Sequence, residues 1–296
     1  MRSPLENIDL TLAANFLTER LGLLKSSRIG LRFERIQEAL FRAHPATSEL
    51  RAGIVIPGRT EIDLLQKITS LPHVWFHWEV AVKFYLALDQ EGSEDPDRWI
   101  GPTLRDTFGI KARTIFKKQL TILNEPEMRR LIGIQEEDSV IAAPYVRGIL
   151  FLPWKKLQRE QFAPPGLNPV GSRGFWVEES ELADFKSSLQ AKSPDGKFFY
   201  FTERNDWIRT HDFTEIIENG PNLLIETRLS RPSKADLEMD LKFPPFQGTY
   251  VRSNGHQCEG RGGSRGEEIR FFCVPDGWLA KAERALESMR HLGRLK

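Results

Sequence analysis

Between Val74 and Tyr85 the chain alternates with a strict period of two, VWFHWEVAVKFY, and this fixes a long β-strand. Side chains on a strand point alternately to opposite faces. Val74, Phe76, Trp78, Val80, Val82 and Phe84 therefore fall on one face. Trp75, His77, Glu79, Ala81, Lys83 and Tyr85 fall on the other. The second face gathers a histidine, a carboxylate and a lysine within about three pleats of roughly 6–7 Å each. Carboxylates are depleted in strands, and Glu79 in so apolar a run costs free energy unless it is paired.

Upstream lies an acidic cluster, Glu61-Ile62-Asp63, on a short strand expected over 62–65. Two carboxylates on adjacent strands, with a lysine close by, suit a Mg²⁺- or Mn²⁺-dependent phosphodiesterase. The carboxylates hold a hard cation, and the lysine steadies a phosphate or the attacking water. On this reading Asp63 and Glu79 are the metal ligands and Lys83 is catalytic. The bland alternative is a pair of solvated acids. A direct Glu79–Lys83 salt bridge is disfavoured, because four residues along a strand span about 13 Å. His77, beside aromatic neighbours, reads first as a hydrogen-bonded structural residue and second as an accessory to the site. Glu34, on a helix expected over 29–43, joins the site only if that helix crosses the strands.

The rest of the chain sets bounds. Its 296 residues carry a formal net charge of +1, with 40% hydrophobic and 28% charged residues, an ordinary globular balance. Attraction to nucleic acid must then come from a local patch. Basic residues outnumber acids between Arg98 and Arg173. Lys111 and Lys118, one heptad apart, are expected on one helix face with Lys117 beside them, a candidate phosphate-backbone contact. Trp99 and Trp154 could stack on bases, though core packing is the simpler expectation. Two cysteines, Cys258 and Cys273, make no disulfide framework. No apolar run reaches the roughly 20 residues of a membrane span, and the N-terminus does not read as a signal peptide, so a cytoplasmic protein is expected.

The order of elements reads helix (5–24), helix (29–43), strand (51–57), strand (62–65), strand (74–86) and a helix from after Gly109 to about Leu123. A strand or hairpin is expected over 140–152, with Gly148 near the turn. The Pro- and Gly-rich stretch 161–174 marks the expected boundary between a core (1–160) and a C-terminal α+β region (161–296). In that region, strands are expected at 198–201, 223–227 and 269–274, and a final helix at 276–293.

GRTEIDLL (58–65), followed by a strand bearing Glu79 and Lys83, resembles the PD-(D/E)XK phosphodiesterases. That superfamily spans restriction-type endonucleases, repair nucleases and junction resolvases. The resemblance implies an α/β fold, a central mixed sheet flanked by helices, with Mg²⁺ or Mn²⁺ at the acids and an upstream-helix glutamate, here Glu34. One departure stands out: the superfamily lysine is usually two residues after the glutamate, where this chain has Ala81. HWEVAVKFYL, WIGPTLRD and KKQLTIL, with YVRGILFLP and RFFCVPDGW, also resemble an uncharacterised bacterial family known as domain of unknown function 1853. Asp106 and Lys111 lie in that family-like pattern and are further accessory candidates.

Two functional expectations follow, with nucleic acid as the partner and no membrane. One is hydrolysis of phosphodiester bonds in DNA or RNA. The other is a nuclease fold kept as a non-catalytic module that binds nucleic acid or a protein. A third possibility, a metabolic or structural α/β protein, makes the acidic pair a coincidence.

Overall fold

A computed structural model describes residues 8–22, 28–89, 93–156, 173–192, 198–202, 246–252 and 267–295. The fold is α/β, a mixed sheet flanked by helices. Its described elements are α1 (Leu10–Gly22), α2 (Ile29–Arg42), β1 (Thr47–Val55), β2 (Glu61–Ile68), β3 (Leu71–Ala87), β4 (Trp99–Ile100), α3 (Phe108–Thr114), α4 (Pro126–Leu131), β5 (Ser139–Pro153), β6 (Arg173–Glu178), α5 (Leu182–Lys192), β7 (Phe198–Thr202), β8 (Phe246–Arg252), β9 (Glu267–Val274) and α6 (Trp278–His291). The expected boundary at 160/161, the strand at 223–227 and Cys258 lie outside the described residues. By its contacts the chain divides into two compact units, Met1–Lys83 with Lys111–Arg147, and Phe84–Ile110 with Gly148–Lys296.

In the first unit β1, β2 and β3 form an antiparallel meander. One core cluster joins Ile56, Ile62, Leu65 and Trp75 to Ile122, Leu123 and Ile134. On α2, the deeply buried side chains are Phe33, Gln37, Glu38, Ala39 and Phe41, and Leu31, Ile36 and Leu40 are half-buried. Phe41 stacks on Trp78 with ring centroids 5.4 Å apart, and Trp78 on Phe76 at 6.0 Å. Packed alanines seat α1 on α2: Ala13, Ala39 and Ala43 are all buried there.

The face of β3 that carries the polar residues is not the wet one. Trp75, His77 and Glu79 are buried, whereas Phe76 and Trp78 are half-buried. Trp75 donates its indole N–H to Asp138 Oδ2 at 2.9 Å. Lys67 Nζ lies 2.8 Å from the same oxygen, and His73 Nδ1 lies 3.4 Å from Oδ1. Lys67 and Arg51 also stand against the Trp75 ring, at 4.8 and 4.5 Å from its centroid. A carboxylate so deeply buried survives as an anion because these donors surround it.

In the second unit β5, β6 and β9 are parallel, and β8 and β7 follow antiparallel. β4 pairs with the end of β3. Of the strand or hairpin expected at 140–152, the structure has the strand: β5 runs continuously, with Gly148 inside it. Gly174 on β6 is required by close approach: a Cβ there would lie 2.5 Å from the Arg270 carbonyl oxygen. Trp99 is 1% exposed and donates its indole N–H to the Ser93 carbonyl, so it is a core residue. Trp154 donates to Glu181 Oε2 and packs edge-on against Phe185.

Candidate functional site

The site begins with an interruption in the sheet. The β1–β2 pairing runs Ala52↔Leu64 and then Ile54↔Ile62, which leaves Gly53 opposite Asp63. Gly53 has φ 62°, a left-handed conformation that side chains other than glycine rarely adopt. The β2–β3 pairing reaches Leu64↔Trp78 and is not continued to Asp63. Asp63 replaces the missing ladder bond with its own side chain, Oδ2 accepting the Val80 N–H at 2.7 Å. Across this break the alternation slips. Leu65 and Ile62 both enter the same core cluster, although strict alternation would put them on opposite faces. Asp63, beside this break, is half-buried. A glycine inside a strand pattern is the sequence signal for such a break.

Four carboxylates gather here. Glu61 precedes Asp63 on β2, and its Oε1 would lie 3.3 Å from a Cβ placed on Gly53. Glu34 comes from α2 and Glu79 from β3. Burial first, then repulsion from Glu61 and more weakly from Glu79, pushes the Glu34 carboxyl up to about 7, against opposing attraction from Arg35 and Lys111. Asp63 is pushed up to about 8 by burial first and then by Glu79 and Glu34; the Val80 N–H and Lys111 oppose the rise. Acids whose mutual repulsion raises their pKa values form a site short of positive charge.

Glu79 is 1% exposed. Its Oε1 lies 3.3 Å from His77 Nε2, and its Oε2 is a buried oxygen with no hydrogen-bond partner. The imidazole Nε2–H that faces a carboxylate donates to it. His77 thus orients Glu79 and leaves one oxygen available. Its own Nδ1 is buried without a partner.

The remaining sequence candidates separate. Lys111, half-buried on α3, acts on both Glu34 and Asp63 and donates from Nζ to Gln119 Oε1 at 3.1 Å. Lys83 is half-buried on β3. The irregularity in the β2–β3 register falls at Lys67/Ile68, well before Glu79. Ala81, two residues after Glu79 on β3, is 8% exposed. Asp106 belongs to the other unit, where the Tyr85 hydroxyl donates to its Oδ2 at 3.4 Å. Lys117 and Lys118 are exposed. The expected face shared by Lys111 and Lys118 is not formed, because α3 widens into a π-helix over Ile115–Gln119.

Hard oxygen donors and an orphaned buried Glu79 Oε2 fit a hard divalent cation. Among the described residues no three His, Cys, Asp or Glu side chains form a ready-made metal cage. A site for Mg²⁺ does not need one, since this ion is commonly held by one or two carboxylates together with water and substrate phosphate.

The model of the family described as Domain of unknown function (DUF1853) matches residues 1–235. The chain belongs to that family. Every carboxylate of the site, with Lys111 and Lys83, lies within the matched span. No curated protein and no solved structure matches the chain. Among the described residues no helix is long and apolar enough to cross a membrane.

The raised Asp63 carboxyl makes a stability prediction. Without divalent cation, the folded chain keeps a proton at about pH 8 that an unfolded aspartate loses near its ordinary 3.8. Stability therefore falls as pH rises from about 4 to about 8. Asp63→Asn keeps an oxygen for the Val80 N–H and removes the charge. Urea unfolding in EDTA should show the variant more stable than wild type at pH 8, with the difference shrinking towards pH 4. An equal midpoint at pH 8 would contradict the electrostatic account.

Proposed function

We propose that this protein is a metal-dependent phosphodiesterase acting on DNA or RNA, with its site formed by Asp63, Glu79 and Glu34. The observation that carries the reading is the gathering of these three acids from β2, β3 and α2, with the Glu79 Oε2 buried and unpartnered. Asp63 and Glu79 would hold Mg²⁺ or Mn²⁺, which when bound supplies Lewis-acid polarisation of the phosphate and a more acidic water. His77 fixes the Glu79 carboxylate, a role that second-layer donors commonly play at metal ligands. Glu34, at about 7, is poised to take a proton from the attacking water at neutral pH. The water oxygen bonds to phosphorus and the bond from phosphorus to one ester oxygen breaks. That oxygen leaves as an alcohol after taking a proton from solvent, and a phosphate monoester remains.

A second reading is a non-catalytic module that binds nucleic acid or a protein. Ala81 in place of the superfamily lysine favours it, as does the absence of a three-ligand cage among the described residues. Mn²⁺ calorimetry on wild type and on the Asp63→Ala, Glu79→Ala double variant separates the two. The enzyme reading expects binding that the double variant loses, and Mn²⁺-dependent cleavage of labelled oligonucleotides by wild type. Salt-sensitive oligonucleotide binding without metal and without cleavage would support the module instead.

A further inference from the structure

We propose that His77 determines which cation the site accepts: by holding Glu79 Oε1 it leaves Glu79 a single oxygen to offer, which favours Mg²⁺ or Mn²⁺ and disfavours Ca²⁺. This deepens the phosphodiesterase reading and rests on it. The two acids concerned, Asp63 and Glu79, are neighbours by register. The β2–β3 ladder pairs Leu65↔His77 and Leu64↔Trp78, so its next step would set Asp63 opposite Glu79. The ladder stops before that step. Asp63 Oδ2 instead accepts the N–H of Val80, the residue that follows Glu79, at 2.7 Å.

Each acid has one oxygen engaged and one to offer. On Asp63 the engaged atom is Oδ2, held by the backbone. On Glu79 it is Oε1, 3.3 Å from His77 Nε2, while Oε2 is buried without a partner. Neither carboxylate can chelate a cation through both oxygens without giving up its present bond. Ca²⁺ gathers about six to eight oxygens and often takes a carboxylate through both of its own. Mg²⁺ is held by one or two carboxylates, with water and substrate phosphate completing an octahedron, and Mn²⁺ shares its oxygen ligands and octahedral habit. The imidazole has no other described use. His77 is 0% exposed, its Nδ1 is buried without a partner, and the ring's one described hydrogen bond is to Glu79. A polar ring buried with half its bonding capacity unmet costs free energy, so the contribution that offsets this cost is the oxygen it holds.

The test compares wild type with His77→Leu and His77→Gln. Calorimetry is run with Mn²⁺ and, separately, with Ca²⁺, and thermal unfolding checks that each variant folds. Wild type is expected to bind Mn²⁺ more tightly than Ca²⁺. In His77→Leu the Glu79 carboxylate loses its holder and can turn both oxygens to a cation. Mn²⁺ affinity should then fall by about 10–100-fold, the usual cost of removing a group that orients a metal ligand. Ca²⁺ affinity should hold or rise, so the ratio of the two affinities should drop by at least about 10-fold. His77→Gln keeps an N–H donor and should keep most of the wild-type ratio. A histidine that only fills space would weaken both ions alike or neither. An unchanged ratio in a folded His77→Leu protein would therefore overturn the assignment while leaving the phosphodiesterase reading intact. If His77→Leu does not fold, wild type decides: Ca²⁺ bound as tightly as Mn²⁺ would overturn the assignment. A wild type that binds neither ion would overturn both.

Discussion

Under the proposed phosphodiesterase reading, replacing Glu79 with Gln is expected to abolish Mn²⁺ binding and to lower phosphodiester cleavage by about 10³-fold or more. Removing a metal ligand forfeits several kcal/mol of transition-state stabilisation, and each 1.36 kcal/mol is about a factor of ten in rate. The choice of Gln isolates the chemistry from the fold. Glutamine has nearly the same volume, and Glu79 is only 1% exposed, so a smaller residue would leave a cavity. His77 can still donate to the amide oxygen, which preserves the 3.3 Å contact to that side chain. Calorimetry and a cleavage assay on the same preparation check the result. Cleavage at the wild-type rate by a folded Glu79→Gln protein would remove Glu79 from the mechanism and, with it, the reason for assigning hydrolysis.

The second large effect concerns stability and lies away from the acids. Asp138→Ala should destabilise the protein by about 3–5 kcal/mol, the usual cost of removing one partner from a buried ion pair. The substitution strands Lys67 Nζ and the Trp75 indole N–H, both of which now bond to Asp138 Oδ2. Asp138→Asn should cost less, because an amide oxygen still accepts from Trp75. The pH dependence has the opposite sense to that of Asp63. The Lys67 hydrogen bond, helped by Trp75 and His73, holds the Asp138 carboxyl below its ordinary 3.8 despite burial. Its contribution is present above about pH 4 and is lost as pH falls through the lowered value. Urea unfolding at pH 7 and at pH 3 should show the gap between wild type and Asp138→Ala narrowing in acid. A gap of less than about 1 kcal/mol at pH 7, the usual worth of an exposed pair, would mean that the pair is solvated.

The two predictions concern neighbouring parts of one strand, β3, and show why its polar residues matter differently. Trp75 and His77 bury their rings and use their N–H groups on carboxylates. Asp138 is fully answered by donors and so stabilises the fold. Glu79 is answered on one oxygen only, and Asp63 and Glu34 crowd it. An incompletely answered buried carboxylate lowers stability, and proteins commonly tolerate that loss where function requires it.

Much of the framework was legible in the sequence because it depends on periodicity. The two-residue alternation specified β3, observed at Leu71–Ala87 against the expected 74–86, and the helical spacing specified α2 at Ile29–Arg42. The order helix, strand, strand, strand, helix also holds in α2, β1, β2, β3 and α3, apart from the two-residue β4. Asp63 and Glu79 stood out as acids placed in or near apolar patterns, where their cost asks for a reason, whereas Glu34 read as an ordinary helix-surface acid that joins them only if α2 crosses the strands.

What the tertiary structure decided turns on slips in those same periods, which a regular pattern does not reveal. Strict alternation does not foretell the left-handed Gly53 or the missing pair between Gly53 and Asp63, where the Asp63 side chain accepts the Val80 N–H instead. A regular heptad would pair Lys111 with Lys118; the π-turn substitutes Gln119. Local sequence determined which acids stand in apolar surroundings, and only the packing of α2 with the strands determined which of them became neighbours.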